Sequence, residues 1–120
     1  YVAVDGGMPD NIRPPLYDAE YEAIVANKAD QKPEEEVTIA GKCCESGDIL
    51  IEDIKLPELE AGDLLLTPCT GAYGYAMSNN YNGIPRPGVL LVSEDSLDWL
   101  VKPENYQDLV SNDVVPDKLK

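Results

Sequence analysis

Arginine occurs only twice in the chain, at Arg13 and Arg86, and each stands immediately before a proline, which disfavours ordinary helical backbone at the arginine itself. With 23 acidic residues against 9 basic ones, the ordinary fate of an arginine here is an ion pair at a surface or interface. Arg13 has a second use open to it. It follows Asp5-Gly6-Gly7-Met8-Pro9-Asp10-Asn11, which reads as a strand running into a tight glycine loop, and Tyr17 lies four residues on. On one turn of helix the guanidinium and the phenol share a face. Such a pair is a receptor for a carboxylate, the arginine as a two-pronged donor and the tyrosine hydroxyl as a third.

Two further segments carry chemistry. Gly41-Lys42-Cys43-Cys44-Glu45-Ser46-Gly47-Asp48 closes a strand signal and enters a glycine turn, where a fold presents side chains rather than burying them. A thiol beside a carboxylate can act as an acid or as the partner of a cation, although an isolated loop cysteine is more often inert. In Gly71-Ala72-Tyr73-Gly74-Tyr75-Ala76-Met77-Ser78-Asn79-Asn80-Tyr81-Asn82, glycines at a strand-to-helix junction let backbone approach a ligand, and a tyrosine hydroxyl there can donate to a phosphate. Otherwise such a tyrosine is a packing residue. There is no Walker or dinucleotide fingerprint. The chain has no histidine, and its cysteines lack zinc-site spacing, which excludes histidine metal triads and Ser-His or Cys-His catalysis within it.

The elements that must position these residues are short strands. Strand signals fall at 2–5, 21–26, 37–40, 49–51, 63–67, 89–92 and 97–101, separated by Gly, Pro and Asn turn chemistry. Segment 50–59 alternates weakly and contains Pro57, which predicts a short strand or an edge position. Helix is expected only as a turn at 14–17, a short helix over 71–79 and a last one at 103–110 opening on Pro103. Trp99 is expected in a core or an interface. At 120 residues the chain fits one domain, 1–120, with a core of Val, Ile, Leu and Ala and no Phe. The opening Tyr1-Val2-Ala3-Val4 is already a strand pattern, as in a piece of a longer chain.

Composition narrows the partners. A net charge of −14 repels nucleic acid, and the acidic runs at 33–36 and 58–63 read as solvated faces. No apolar run reaches the roughly 18 residues of a membrane span, and no signal-peptide pattern opens the chain. Three cysteines, two of them adjacent, suit thiols in a reducing cytoplasm better than disulfides. The reading is a soluble cytoplasmic protein.

Taken together, Val4-Asp5-Gly6-Gly7-Met8 to Arg13-Pro14 and Leu16-Tyr17, then Cys44-Glu45-Ser46-Gly47-Asp48, then Gly71-Ala72-Tyr73-Gly74 through Asn80-Tyr81-Asn82 to Arg86-Pro87 resemble the fold-type III, alanine-racemase-like pyridoxal-phosphate decarboxylases of ornithine, diaminopimelate and arginine. The closing Glu104-Asn105-Tyr106-Gln107-Asp108-Leu109 also looks like that family's last helix. The branch most resembled acts on meso-diaminopimelate, giving L-lysine and carbon dioxide in lysine biosynthesis. The resemblance implies a mainly β domain, a Greek-key β-barrel with short helices like the C-terminal domain of alanine racemase. It also implies a partner α/β-barrel domain, N-terminal to this one, which holds pyridoxal 5'-phosphate on a lysine.

In such enzymes a head-to-tail homodimer places the Cys-Glu loop of one subunit in the active site of the other. By resemblance Arg13 and Tyr17 bind the distal carboxylate of the substrate, Glu45 binds its distal ammonium, and Cys44 helps protonate the reacting carbon. Tyr73 lies against substrate and cofactor and bonds the cofactor phosphate. No lysine of this chain matches a Schiff-base context. Two residues depart from the family pattern: Cys43, which doubles the thiol, and Glu20, where many relatives carry histidine or arginine. Alternatives are a sister decarboxylase of another basic amino acid, which would tend to carry Asp after the Cys and lack the arginine, and a non-catalytic barrel that binds an amino acid or a partner protein.

Overall fold

In the computed structural model, which describes every residue but Ala72, strands form where Val, Ile and Leu concentrate. They are β1 (Val2–Ala3), β2 (Ile24–Val25), β3 (Glu35–Ala40), β4 (Ile49–Leu56), β5 (Leu65–Leu66), β6 (Val89–Val92) and β7 (Leu97–Val101), with short helices α1 (Arg13–Tyr17), α2 (Gly74–Met77) and α3 (Tyr106–Leu109). The fold is mainly β with few short helices. Among the described residues the strands pair as three separate sheets, β1-β3-β4, β2-β5 and β6-β7, and this pairing does not close into a barrel. The chain divides into two units, Tyr1–Ser78 and Asn79–Lys120.

In the first unit β1 runs parallel to β3, and β3 antiparallel to β4. β4 has eight residues yet lies at the sheet edge, and Pro57 follows its last residue. The register slips between Val37 and Ile39. Asp53, opposite, takes a left-handed backbone (φ 50°), and its N–H points to the Thr38 hydroxyl at 3.5 Å. The slip is a bulge, which bends the strand pair and increases its twist. Val25, Ile39 and Leu56 are buried from three different strands and form the core, with Val37, Ile54 and Leu65 packed against them. A clasp ties the turn after β2 to the loop before β5. Lys28 Nζ donates to Asp63 Oδ2 at 2.8 Å and to the Glu58 carbonyl at 2.9 Å, and Asn27 Nδ2 donates to Asp63 Oδ1 at 2.7 Å.

The second unit is built on the β6-β7 hairpin, whose bounds coincide with the strand signals in the sequence. Gly88 makes room beside it. A β-carbon there would collide with the Trp99 ring and lie 2.9 Å from Pro103 Cδ. Trp99 nevertheless remains 54% exposed, so of the two places expected for it, a core or an interface, it does not stand in a core of this unit. The last helix is shorter than expected because Pro103 is spent on Gly88. α3 starts instead after Asn105, in a capping box with Asp108. Arg86 is the structural arginine. Its Nε and guanidinium grip Glu104 Oε1, and its own N–H donates to Glu104 Oε2 at 2.9 Å, joined there by Asn80 Nδ2 at 2.6 Å.

Both clasps titrate in the acid range. The Lys28 hydrogen bond, then the Glu60 N–H and Asn27, hold the Asp63 carboxyl down at about 2, below its ordinary 3.8. The Arg86 side chain and N–H, then Asn80, hold Glu104 at about 2, below 4.5. Carboxyls depressed in the folded state stabilise fully above their unfolded values and lose that contribution as pH falls toward the folded ones. Thermal melting followed by circular dichroism on the full-length protein should therefore show the melting temperature falling between pH 5 and pH 2. Asp63→Asn and Glu104→Gln should each lower it at pH 7 and flatten that slope. An unchanged slope in the double variant would remove the clasps from the acid transition.

Candidate functional site

Pro14 and Pro15 preset φ for a helix and lack N–H groups only in a first turn, where none is needed. They make a helix of Arg13–Tyr17 that ends at Asp18 in left-handed conformation, with the Asp18 N–H donating to the Pro14 carbonyl. Four residues apart on this helix, Arg13 and Tyr17 share a face: the guanidinium carbon lies 5.8 Å from the Tyr17 ring centre. It also lies 5.5 Å from the ring of Tyr73, which comes from the N-terminal boundary of α2. Each such cation–ring contact is worth about 0.5–1 kcal/mol at an exposed site, and two together hold a long side chain to one region. Both rings are largely exposed. The ion pairs among the described residues join Lys28 to Asp63, Arg86 to Glu104 and Lys120 to Asp117. Arg13 makes none. Ala72, from the same motif as Tyr73, lies outside the described residues.

The Cys-Glu loop connects β3 to β4. The Glu45 N–H donates to the Cys43 carbonyl at 2.8 Å, the Asp48 N–H to the Glu45 carbonyl at 3.1 Å, and the Gly41 N–H to the Asp48 carbonyl at 2.8 Å. Glu45 Oε1 accepts from the Gly47 N–H at 3.1 Å. Cys44 and Glu45 are exposed, whereas Cys43 is half-buried, its Sγ 3.3 Å from where a β-carbon on Gly7 would stand. Adjacent thiols thus have different surroundings, as neighbours on an irregular loop must.

Asp48 is the residue that sequence reasoning passed over, reading Gly47-Asp48 only as a turn. It is 3% exposed, and its carboxylate accepts the Met8 N–H on Oδ1 at 2.6 Å and the Cys43 N–H on Oδ2 at 2.7 Å. A β-carbon on Gly41 would collide with that carboxylate, and one on Gly7 would come within 2.9 Å of it. The usable signal was the pair of glycine sites flanking the two loops, each making room for one buried acid. Asp10 adds a local bond, its Oδ2 accepting the Gly7 N–H at 2.9 Å. Burial nonetheless raises its carboxyl above the ordinary range, with Asp48 and Asp5 adding to the rise and the Gly7 bond and Lys42 opposing it.

The sequence-derived residues therefore fall into two groups. Arg13, Tyr17 and Tyr73 form one cluster, and Cys44 and Glu45 sit on the loop. An open cleft of about 620 Å³ runs between the helix carrying the first group and that loop, lined by Pro14, Pro15 and Asp18 on one side and by Glu45, Ser46 and Gly47 on the other. Its lining carries the carboxylates of Asp18, Glu20, Glu45 and Glu52 and includes neither Arg13 nor Cys44.

Comparison with known proteins gives the chain's family. Residues 1–71 match the family described as pyridoxal-dependent decarboxylase, C-terminal sheet domain. The chain is 60% identical over 114 residues to diaminopimelate decarboxylase of Bacillus subtilis, covering 95% of this chain and 26% of that protein. Diaminopimelate decarboxylase from M. jannaschii, solved in complex with L-lysine, superposes with a TM-score of 0.91 at 38% identity, over 98% of this chain and 27% of that one. Lysine/ornithine decarboxylase from Vibrio vulnificus, solved with cadaverine, is less similar, at TM-score 0.57 and 28% identity over 70% of this chain and 23% of that one. The chain spans about a quarter of the length of the relatives it matches.

Differential exposure of the loop thiols gives a direct test. In native protein, an aromatic disulfide reagent should modify Cys44 before Cys43, with peptide mapping of single Cys→Ser variants assigning the order. Equal rates would mean that Cys43 is not shielded at Gly7.

Proposed function

Because the chain belongs to the pyridoxal-dependent decarboxylases, through their C-terminal sheet domain, we propose that it is the sheet domain of a diaminopimelate decarboxylase. In this reading residues 1–120 form one part of a longer, cytoplasmic enzyme. That enzyme converts meso-diaminopimelate to L-lysine and carbon dioxide, and its N-terminal α/β barrel carries the cofactor lysine. This domain is that enzyme's C-terminal Greek-key barrel, and two such chains form a homodimer whose sites each take the Cys-Glu loop from the other subunit. The observation that carries the proposal is Arg13. In a chain of net charge −14, its guanidinium is held between two tyrosine rings and takes no carboxylate among the described residues.

Each residue then has a task. Meso-diaminopimelate carries a second amino-acid centre, so its distal end is a zwitterion. Arg13, with the Tyr17 hydroxyl, donates to the distal carboxylate, while Glu45 accepts from the distal ammonium. Lysine offers the ammonium but leaves Arg13 without an anion, so a site built this way rejects its product steeply. Cys44 Sγ holds the proton that the reacting carbon takes once carbon dioxide has gone. Tyr73, an exposed phenol beside a guanidinium, is a neutral donor in a cationic setting, which fits one oxygen of a cofactor phosphate and, alongside it, the substrate. When bound, pyridoxal phosphate supplies the electron sink for the pair left as the carbon–carbon bond breaks. A sister decarboxylase would have no use for an anion receptor at Arg13, and it would be expected to carry Asp where Glu45 stands.

The test is carbon dioxide release from meso-diaminopimelate by the full-length enzyme loaded with pyridoxal phosphate. Arg13→Ala should cost roughly 2–5 kcal/mol in kcat/KM for diaminopimelate. Analogues lacking the distal carboxylate should be far less affected. Glu45→Gln should penalise chiefly substrates bearing the distal ammonium. Because both act on one zwitterion, the double variant should be non-additive. Cys44→Ala should lower turnover strongly and Cys43→Ala weakly. Small, independent effects on all substrates alike would return Arg13 and Glu45 to ordinary surface charges.

A further inference from the structure

We propose that Asp48 is a positioning residue, a single buried carboxylate that ties the anion-binding helix, which serves one site of the dimer, to the Cys44-Glu45 loop, which serves the other. The proposal rests on the decarboxylase reading above and deepens it. The two arms leave the same sheet, α1 through the Gly6-Gly7 loop after β1 and the Cys-Glu loop after β3. Nothing in either loop alone fixes one to the other. The Asp48 carboxylate does so, with one oxygen on the Met8 N–H and the other on the Cys43 N–H, and the Lys42 N–H adds a bond to the Gly6 carbonyl at 3.0 Å. Met8 lies five residues before Arg13, and Cys43 immediately precedes Cys44.

The arrangement is built rather than incidental. Hydrogen bonds to a charged acceptor are the strong ones, and a carboxylate as buried as this one is tolerated only where its oxygens are satisfied. Both glycine sites are shaped to it, since Gly41 has no room for a β-carbon beside the carboxylate and Gly7 almost none. Substituting Asp48 with Asn keeps the shape but turns one acceptor into an NH2 group. That group must face either the Met8 or the Cys43 N–H, so one loop is released whichever way the amide sits. Gly7→Ala does the converse, keeping the charge and every hydrogen-bonding group while pushing on the carboxylate.

Misplacing a reacting group by about 1 Å can cost on the order of 100-fold in rate. In the full-length enzyme with pyridoxal phosphate, Asp48→Asn should lower kcat/KM for meso-diaminopimelate roughly 10–100-fold. Its KM should rise through the Arg13 arm and its kcat fall through the Cys44 arm. Gly7→Ala should show the same pattern more mildly. A variant that merely contained less folded enzyme would lose kcat at unchanged KM. A second readout needs no substrate: in a Cys44→Ser background, Asp48→Asn should accelerate labelling of Cys43, whose Sγ is otherwise shielded at Gly7. Kinetics within twofold of wild type in both folded variants would overturn the proposal, as would a fall in kcat alone. So would loss of fold in both variants, which would make Asp48 a folding residue instead. If the unsubstituted enzyme releases no carbon dioxide from diaminopimelate, the functional reading fails, and Cys43 labelling alone then decides whether Asp48 ties the loops together.

Discussion

A buried carboxylate is costly unless both its oxygens find donors, and the first unit of this chain is arranged around meeting that demand for Asp48. The strand that ends at Ala40 and the strand that starts at Ile49 are joined by a loop that must fold back to bring the Cys43 N–H to one oxygen. The strand that ends at Ala3 must turn through two glycines to bring the Met8 N–H to the other. Once both bonds are made, where the chain goes next is largely settled. Five residues on it reaches Arg13, and one residue on it reaches Cys44. Arg13 and Cys44 thus follow closely in the chain on backbone groups that one carboxylate holds.

The rest of the charge distribution follows a similar economy. Cations are scarce, and Lys28 and Arg86 each grip one carboxylate at a junction between loops. Arg13 is treated differently. Aromatic faces restrain it without neutralising it, because a quadrupole attracts a cation but leaves its hydrogen-bonding capacity available to an anion. A carboxylate in the same place would have held the side chain equally well and closed it to any ligand. An arginine oriented by rings thus keeps free the donors that one oriented by a carboxylate spends.

How much of this could be read from the sequence depended on the range of the interactions. The hairpin strands at 89–92 and 97–101 were legible to the residue because apolar runs bounded by turn residues are a local signal. So was the Arg13-Tyr17 face, since helical spacing alone brings the two together. Of β4 only 49–51 carried a strand signal, and the segment after it was expected to be short or at an edge: a bulge at Asp53 and a stop before Pro57 let this weakly alternating segment pair along its whole length. The last helix was read too long, because Pro103 carries a helix-start signal locally but packs at Gly88. Tyr73 is marked in the sequence only by a family motif, and its contact with Arg13, sixty residues away along the chain, is tertiary. Asp48 was missed for the same reason. A buried acid and a turn acid look alike in one dimension, and only the glycines opposite it tell them apart.

Gly88 leaves one more mark on the molecule. Because it admits the edge of the only indole in the chain, Trp99 is held partly against the peptide backbone and partly in water. Its emission should then be that of a half-solvated indole, shifting to the red when the hairpin opens. The first unit has no tryptophan at all. Within this chain, fluorescence is an optical gauge of the second unit alone, blind to melting around Asp48, and a single wavelength can separate the two events.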